Sequence, residues 1–117
     1  MDPLGLACDN TPKKTFRGGS ATDNNLTPRP QDVEGLSTFD NLEAATKPGG
    51  KAQLIDTSKL NELEAVADAP PAGHVSIRPK DKTRMQEWID SRDAPEPHPF
   101  TQEVRNAIIE TVKRPKS

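Results

Sequence analysis

The apolar residues fall into short groups separated by proline- and glycine-rich stretches, and each group carries its own period. Residues 12–19, PKKTFRGG, predict a short extended run closed by two glycines. Residues 20–34 are polar, and Pro28 and Pro30 forbid a helix there, so they predict a loop. Gly35-Leu36-Ser37-Thr38-Phe39 predicts a compact strand. Asp40, with Glu43 three residues on, has the spacing of a capping box and predicts a short helix that ends at Pro48-Gly49-Gly50. Lys51–Asp56 alternates weakly and predicts a strand. Ser58–Val66 predicts a helix with Leu60, Leu63 and Val66 on one face, closed by Pro70-Pro71 and Gly73. His74–Arg78 is the clearest strand: Val75 and Ile77 point one way, His74, Ser76 and Arg78 the other. Asp81 is placed to cap a helix on which Met85, Trp88 and Ile89 fall at i, i+3 and i+4. After a hinge from Pro95 to Pro99, Thr101 is placed to cap a last helix, with Val104, Ile108 and Val112 as its stripe. The expected class is α+β, and the chain has no internal repeat.

Composition narrows the possibilities. The chain has 117 residues, which predicts one domain. Hydrophobic residues make up 31% and there are 12 prolines, so the core must be thin and long segments must stay loop-like. No apolar run approaches the roughly 20 residues of a membrane-spanning helix, and no membrane association is expected. The first residues lack the basic start and apolar stretch of a secretory signal. Cys8 is the single cysteine, which excludes a disulfide scaffold and a cysteine-rich zinc module. With two histidines besides, no cluster has metal-ligand spacing, and no metal is expected. Lysine and arginine total 16 against 18 acids, evenly spread, so charge alone draws no nucleic-acid footprint. The basic end, Lys113-Arg114-Pro115-Lys116, reads as a solvated tail.

Two short motif sets carry a resemblance. Asp2-Pro3-Leu4-Gly5-Leu6 resembles the end of the core of Rhs polymorphic toxins, where the shell stops and a variable C-terminal toxin begins. The resemblance implies residues 1–11 as the core junction and linker, and residues 12–117 as the toxin domain. It also implies a secreted antibacterial effector, held in its Rhs shell, delivered by a type VI or related secretion machine to the cytoplasm of target bacteria, and neutralised at home by an immunity protein. The same five residues also read as ordinary turn chemistry.

Thr15-Phe16-Arg17-Gly18-Gly19, Gly35-Leu36-Ser37-Thr38-Phe39 and Gly73-His74-Val75-Ser76-Ile77 together resemble a compact ADP-ribosyltransferase toxin. That family holds NAD with a polar residue, often arginine, on the first strand. A Ser-Thr element opens a second strand, and a glutamate, or in some compact families a histidine, comes from a later one. The resemblance implies a small ADP-ribosyltransferase-like fold and a transferase for which NAD is the co-substrate. It implies Ser37, His74 and Glu103 as catalytic residues, and Arg17, Gly18, Thr38 and Phe39 as NAD-binding residues. The implied target is essential, a translation component such as elongation factor Tu, with structured RNA as the alternative acceptor; the even charge balance favours a protein.

Transfer breaks the bond between nicotinamide and ribose through an oxocarbenium-like transition state, and its needs match these residue types. Arginine gives bidentate, permanently charged contacts to phosphate. Adjacent glycines allow close backbone approach, and positioning and electrostatics supply most of the rate. Each residue also has a plainer reading. Arg17 fits an exposed strand position, Ser37 a small strand residue, Thr38 a β-former and His74 a satisfied surface or core histidine. Glu103 opens a helix, where a negative charge is favoured by the dipole alone, and it lacks the family's strand setting; Glu34 is a second candidate acid. Trp88, Met85 and Ile89 read as core or as an immunity-protein surface. Two other functions stay open: a metal-independent ribonuclease using His74, His98 and Arg78, and a non-enzymatic interaction module.

Overall fold

The computed structural model describes residues 12–68 and 71–116. The Rhs-like motif at residues 2–6 and Cys8 lie outside the described residues. The elements in chain order are β1 (Lys14–Gly18), β2 (Leu36–Phe39), α1 (Leu42–Ala45), β3 (Lys51–Asp56), β4 (Leu63–Ala67), β5 (His74–Pro79), α2 (Met85–Asp90), α3 (Pro99–Ala107) and β6 (Ile108–Lys113). The six strands form one antiparallel sheet in the order β4-β5-β2-β1-β3-β6. The class is therefore α+β.

Strand alternation divides the sheet into two unlike faces. On one face Leu36, Ile55, Leu63, Ala65, Val75 and Ile77 are buried. They pack with Trp88 of α2, with Phe100, Val104 and Ala107 of α3, and with Leu26 of the long β1–β2 loop. Thr101, buried in α3, accepts from Trp88 Nε1 at 2.9 Å and lies 2.7 Å from the Thr27 hydroxyl, so the two helices and the loop share one buried polar knot. The opposite face carries Ser37 and Phe39 from β2 beside Ser76 and His74 from β5, at paired positions.

β1 and β2 pair at a single position, Phe16 opposite Phe39, whereas β1 and β3 pair along the whole strand. Beyond Phe16 the β1–β2 ladder opens, and side chains hold the seam instead. Thr15 Oγ1 donates to Thr38 Oγ1 at 2.6 Å and is 2.9 Å from the Phe39 carbonyl oxygen; on the open side Arg17 Nη1 donates to the Ser37 carbonyl at 2.8 Å.

Three local expectations are corrected. The helix expected over 58–66 is a short 3-10 turn at Thr57–Lys59 followed by β4. Leu63 and Ala65 are buried and Glu64 is not, so the period there is two. The expected cap Asp40 gives way to Asn41, whose side chain accepts from Ala44 N. The last helix is capped by His98 rather than Thr101, with Pro99 in its first turn, and it ends at Ala107. The β-branched run that follows, including Ile108, Ile109, Thr111 and Val112, continues as edge strand β6, where β-branched side chains fit best.

Candidate functional site

The open seam leads into a cleft of about 540 Å³, within the range of pockets that hold small molecules. Phe16, Arg17 and Gly18 of β1, Ser37 and Phe39 of β2, Ala45 and Thr46 at the end of α1, and Asn25, Arg29 and Arg92 line it. The β1–β2 loop is folded back to form one wall. Asn25 holds that fold by donating to the Gly18 and Ser20 carbonyls at 2.9 and 2.6 Å. Two glycines make the approach possible. A Cβ on Gly18 would sit 2.1 Å from the Ala45 carbonyl oxygen, so a larger residue would push α1 off the sheet, and Gly19 has φ +97°.

The cleft is cationic. Arg17 is half-buried, with Nε donating to the Asn25 carbonyl at 2.8 Å and Nη1 to Ser37. Burial lowers its pKa from the usual arginine value, Asp32 works against that, and the nearby charges of Arg29 and Arg92 lower it further. Arg92 is fixed by two carbonyls, those of Asn24 and Thr27, both at 2.7 Å. Asp32 is set beside Arg29; burial works to raise its pKa, but the hydrogen bonds and charge of Arg29, with the charge of Arg17, hold it below the ordinary aspartate value. Among the described residues no carboxylate lines the cleft. Three guanidinium groups, two oriented by carbonyls and Arg29 by Asp32, with no lining acid, favour an anionic ligand, and phosphate suits them best.

Behind Ser37 runs a polar chain. Ser37 Oγ lies 2.7 Å from His74 Nε2, and His74 Nδ1 lies 2.6 Å from Asp68 Oδ1. Ser76 Oγ donates to the other oxygen of Asp68 at 2.6 Å. A carboxylate oxygen only accepts, so Nδ1 carries a proton toward Asp68; in the neutral tautomer with that proton, Nε2 accepts from Ser37. Phe39 packs edge-on against the imidazole, with ring centroids 5.2 Å apart. Asp68 is brought there by the β4–β5 hairpin, its own amide donating to the His74 carbonyl.

Of the expected site residues, Arg17, Gly18, Ser37 and Phe39 line the cleft, and His74 stands directly behind Ser37. The other two are elsewhere. Thr38 follows Ser37 in an extended strand and so faces the core, 1% exposed, donating to the Val75 carbonyl at 2.7 Å. Glu103 sits on α3, where its carboxylate accepts from the backbone amides of Asn61, Glu62 and Leu63 and anchors the start of β4. Glu34 is exposed and borders a separate small pocket with Val33 and Arg78. The histidines of the ribonuclease alternative are not brought together: His98 bonds Glu87 and Phe100 N, and Arg78 pairs with Glu64. Trp88 is fully buried core.

The residues not foreseen are Asp68, Asn25, Arg29 and Arg92. Recognising β4 and β5 as a hairpin would have set Asp68 beside His74. Asn25 and Arg29 sit in the irregular β1–β2 loop and Arg92 in a single 3-10 turn that follows α2, segments too short or irregular for a period to carry a signal. The chain matches no protein-family model, no curated protein and no solved structure.

Proposed function

We propose that the cleft binds NAD and that the chain transfers ADP-ribose from it to a translation component such as elongation factor Tu, as the toxin domain of an Rhs effector with a cognate immunity protein. The observation that carries the reading is the convergence of Arg17, Ser37 and His74. They come from β1, β2 and β5, a first strand, a second strand and a later one; Arg17 bonds the Ser37 carbonyl across the open seam, and His74 bonds the Ser37 hydroxyl behind it. This is the order of elements on which the transferase resemblance rests, and an ADP-ribosyltransferase-like version of the α+β fold is part of the proposal.

Arg17, with Arg29 and Arg92, neutralises the pyrophosphate. Its guanidinium is already oriented by Asn25 and Ser37, so little ordering is left for the binding step. The Ser37 hydroxyl orients the ribose. Phe39 and Phe16 give apolar walls on which a ring can pack. NAD is consumed as a substrate: the glycosidic bond breaks with its electron pair leaving on nicotinamide, and the acceptor takes the ribose carbon.

The test is a bacterial lysate given the purified chain and NAD labelled in its adenylate half, with and without protease or nuclease. The expected result is a protease-sensitive labelled band that Arg17→Ala removes. Label in nuclease-sensitive material instead would move the acceptor to RNA. No label under any condition would overturn the transferase reading.

A further inference from the structure

The cleft offers the acceptor an oxygen, not a carboxylate, and behind that oxygen is a route for a proton. Ser37 lines the cleft and His74 does not, so the imidazole reaches the cleft only through the Ser37 hydroxyl. His74 is oriented from its far side by Asp68, and Asp68 is held in turn by Ser76. What gives this arrangement a chemical use is that the second ring nitrogen faces the hydroxyl of a residue that lines the cleft.

The charge around the route narrows what can approach it. A guanidinium or ammonium acceptor calls for a carboxylate to hold its charge, and among the described residues none lines the cleft. A neutral hydroxyl needs no such partner. It does carry a proton that must leave as its oxygen bonds to carbon.

We propose, on the basis of the transferase reading, that the acceptor is a neutral hydroxyl and that the Asp68–His74–Ser37 chain removes its proton. The bond between ribose C1′ and the nicotinamide nitrogen breaks, and its electron pair neutralises the nicotinamide ring. The acceptor oxygen bonds to C1′. Its proton passes to Ser37 Oγ as the Ser37 proton passes to His74 Nε2. The resulting imidazolium faces Asp68 and later returns the proton to water. Ser37 is the catalytic residue of this step, His74 the base acting through it, and Asp68 a positioning residue that fixes the ring tautomer and stabilises the imidazolium.

The experiment uses the purified chain and NAD with no macromolecular target, and offers methanol or agmatine as acceptor. Nicotinamide release and the products are followed by liquid chromatography. The expected product is the methyl glycoside of ADP-ribose, with no agmatine adduct. His74→Ala should lower kcat at least a hundredfold, leave KM for NAD within about threefold, and recover partly with added imidazole. Ser37→Ala should lose kcat likewise, with the His74–Asp68 pair still present, and Ser37→Thr, which restores the hydroxyl, should recover most of it. An agmatine adduct in preference to the methyl glycoside, or full activity in Ser37→Ala, would overturn this inference and leave the transferase reading standing. A raised KM in His74→Ala with kcat unchanged would do the same. A wild-type chain that neither binds NAD nor releases nicotinamide would overturn the transferase reading and the inference together.

Discussion

The two histidines of this chain have similar partners and opposite settings. His98, at the α2–α3 junction, caps α3 with Nδ1, which accepts from Phe100 N at 3.0 Å, and pairs with Glu87 through Nε2 at 2.6 Å. His74, on the polar face of the β2–β5 pair, also faces a carboxylate at 2.6 Å, but its second nitrogen goes to a hydroxyl that lines a cleft. Around His98 its ring lies tilted against Phe100, Phe100 meets Trp88 edge-on, and the Arg84 guanidinium lies 4.6 Å from the Phe100 ring centre. A histidine–carboxylate pair is therefore not in itself a sign of chemistry. What the remaining nitrogen faces decides: at His98 it caps a helix, and at His74 it meets the hydroxyl of a residue that lines the cleft.

Substitutions can break this contrast in order of size. At the junction, Trp88→Ala empties a fully buried site and removes one of the two partners of the Thr101 hydroxyl, and should cost about 3–5 kcal/mol of stability in chemical denaturation, while NAD turnover per folded molecule stays unchanged. At the cleft, His74→Ala should do the reverse: a turnover loss of at least a hundredfold, about 2.7 kcal/mol in the barrier, with a melting temperature shifted by only a few degrees. His98→Ala removes a helix cap and should cost about 1 kcal/mol of stability with no change in turnover. A turnover loss in His98→Ala as large as that in His74→Ala would erase the contrast.

The smallest effect is a pH dependence. Hydrogen bonds from Arg84 and His98 hold the Glu87 carboxyl down to about 2, against an ordinary glutamate value of 4.5. The folded state therefore releases this proton more readily than the unfolded chain. The stability linked to Glu87 is fully present above pH 4.5 and is lost as pH falls from there toward 2. Denaturation midpoints measured across that interval should fall less steeply in Glu87→Gln than in the wild type. Equal slopes would remove Glu87 from the account.

Much of the site was legible because its strands are short and bounded. Glycines and prolines around Leu36–Phe39 and His74–Pro79 leave a strand as the natural reading, and alternation then puts Ser37 and His74 on the face opposite Val75 and Ile77. The same alternation, applied one residue further, already argues against Thr38 as a ligand contact, since it must point opposite to Ser37. Leu60 and Leu63 mislead because a spacing of three fits a helix, while the decisive signal, buried Leu63 and Ala65 around an outward Glu64, becomes visible only once β5 is there to pair with. Val104, Ile108 and Val112 fall at helical spacing by coincidence across the α3–β6 boundary, where the β-branched run overrides the pattern. Arg29 and Arg92 could not be assigned to the cleft from sequence, because tertiary folding of the β1–β2 loop and of the 3-10 turn after α2 sets them beside Arg17.

The most direct measurement is an NMR titration of the chain with NAD, reading backbone amides. The account predicts saturable shifts at Gly18, Gly19, Asn25 and Ser37, none at Glu87, His98 or Phe100, and loss of the response in Arg17→Ala. Absence of shifts at millimolar NAD, or shifts centred on the α2–α3 junction, would contradict it.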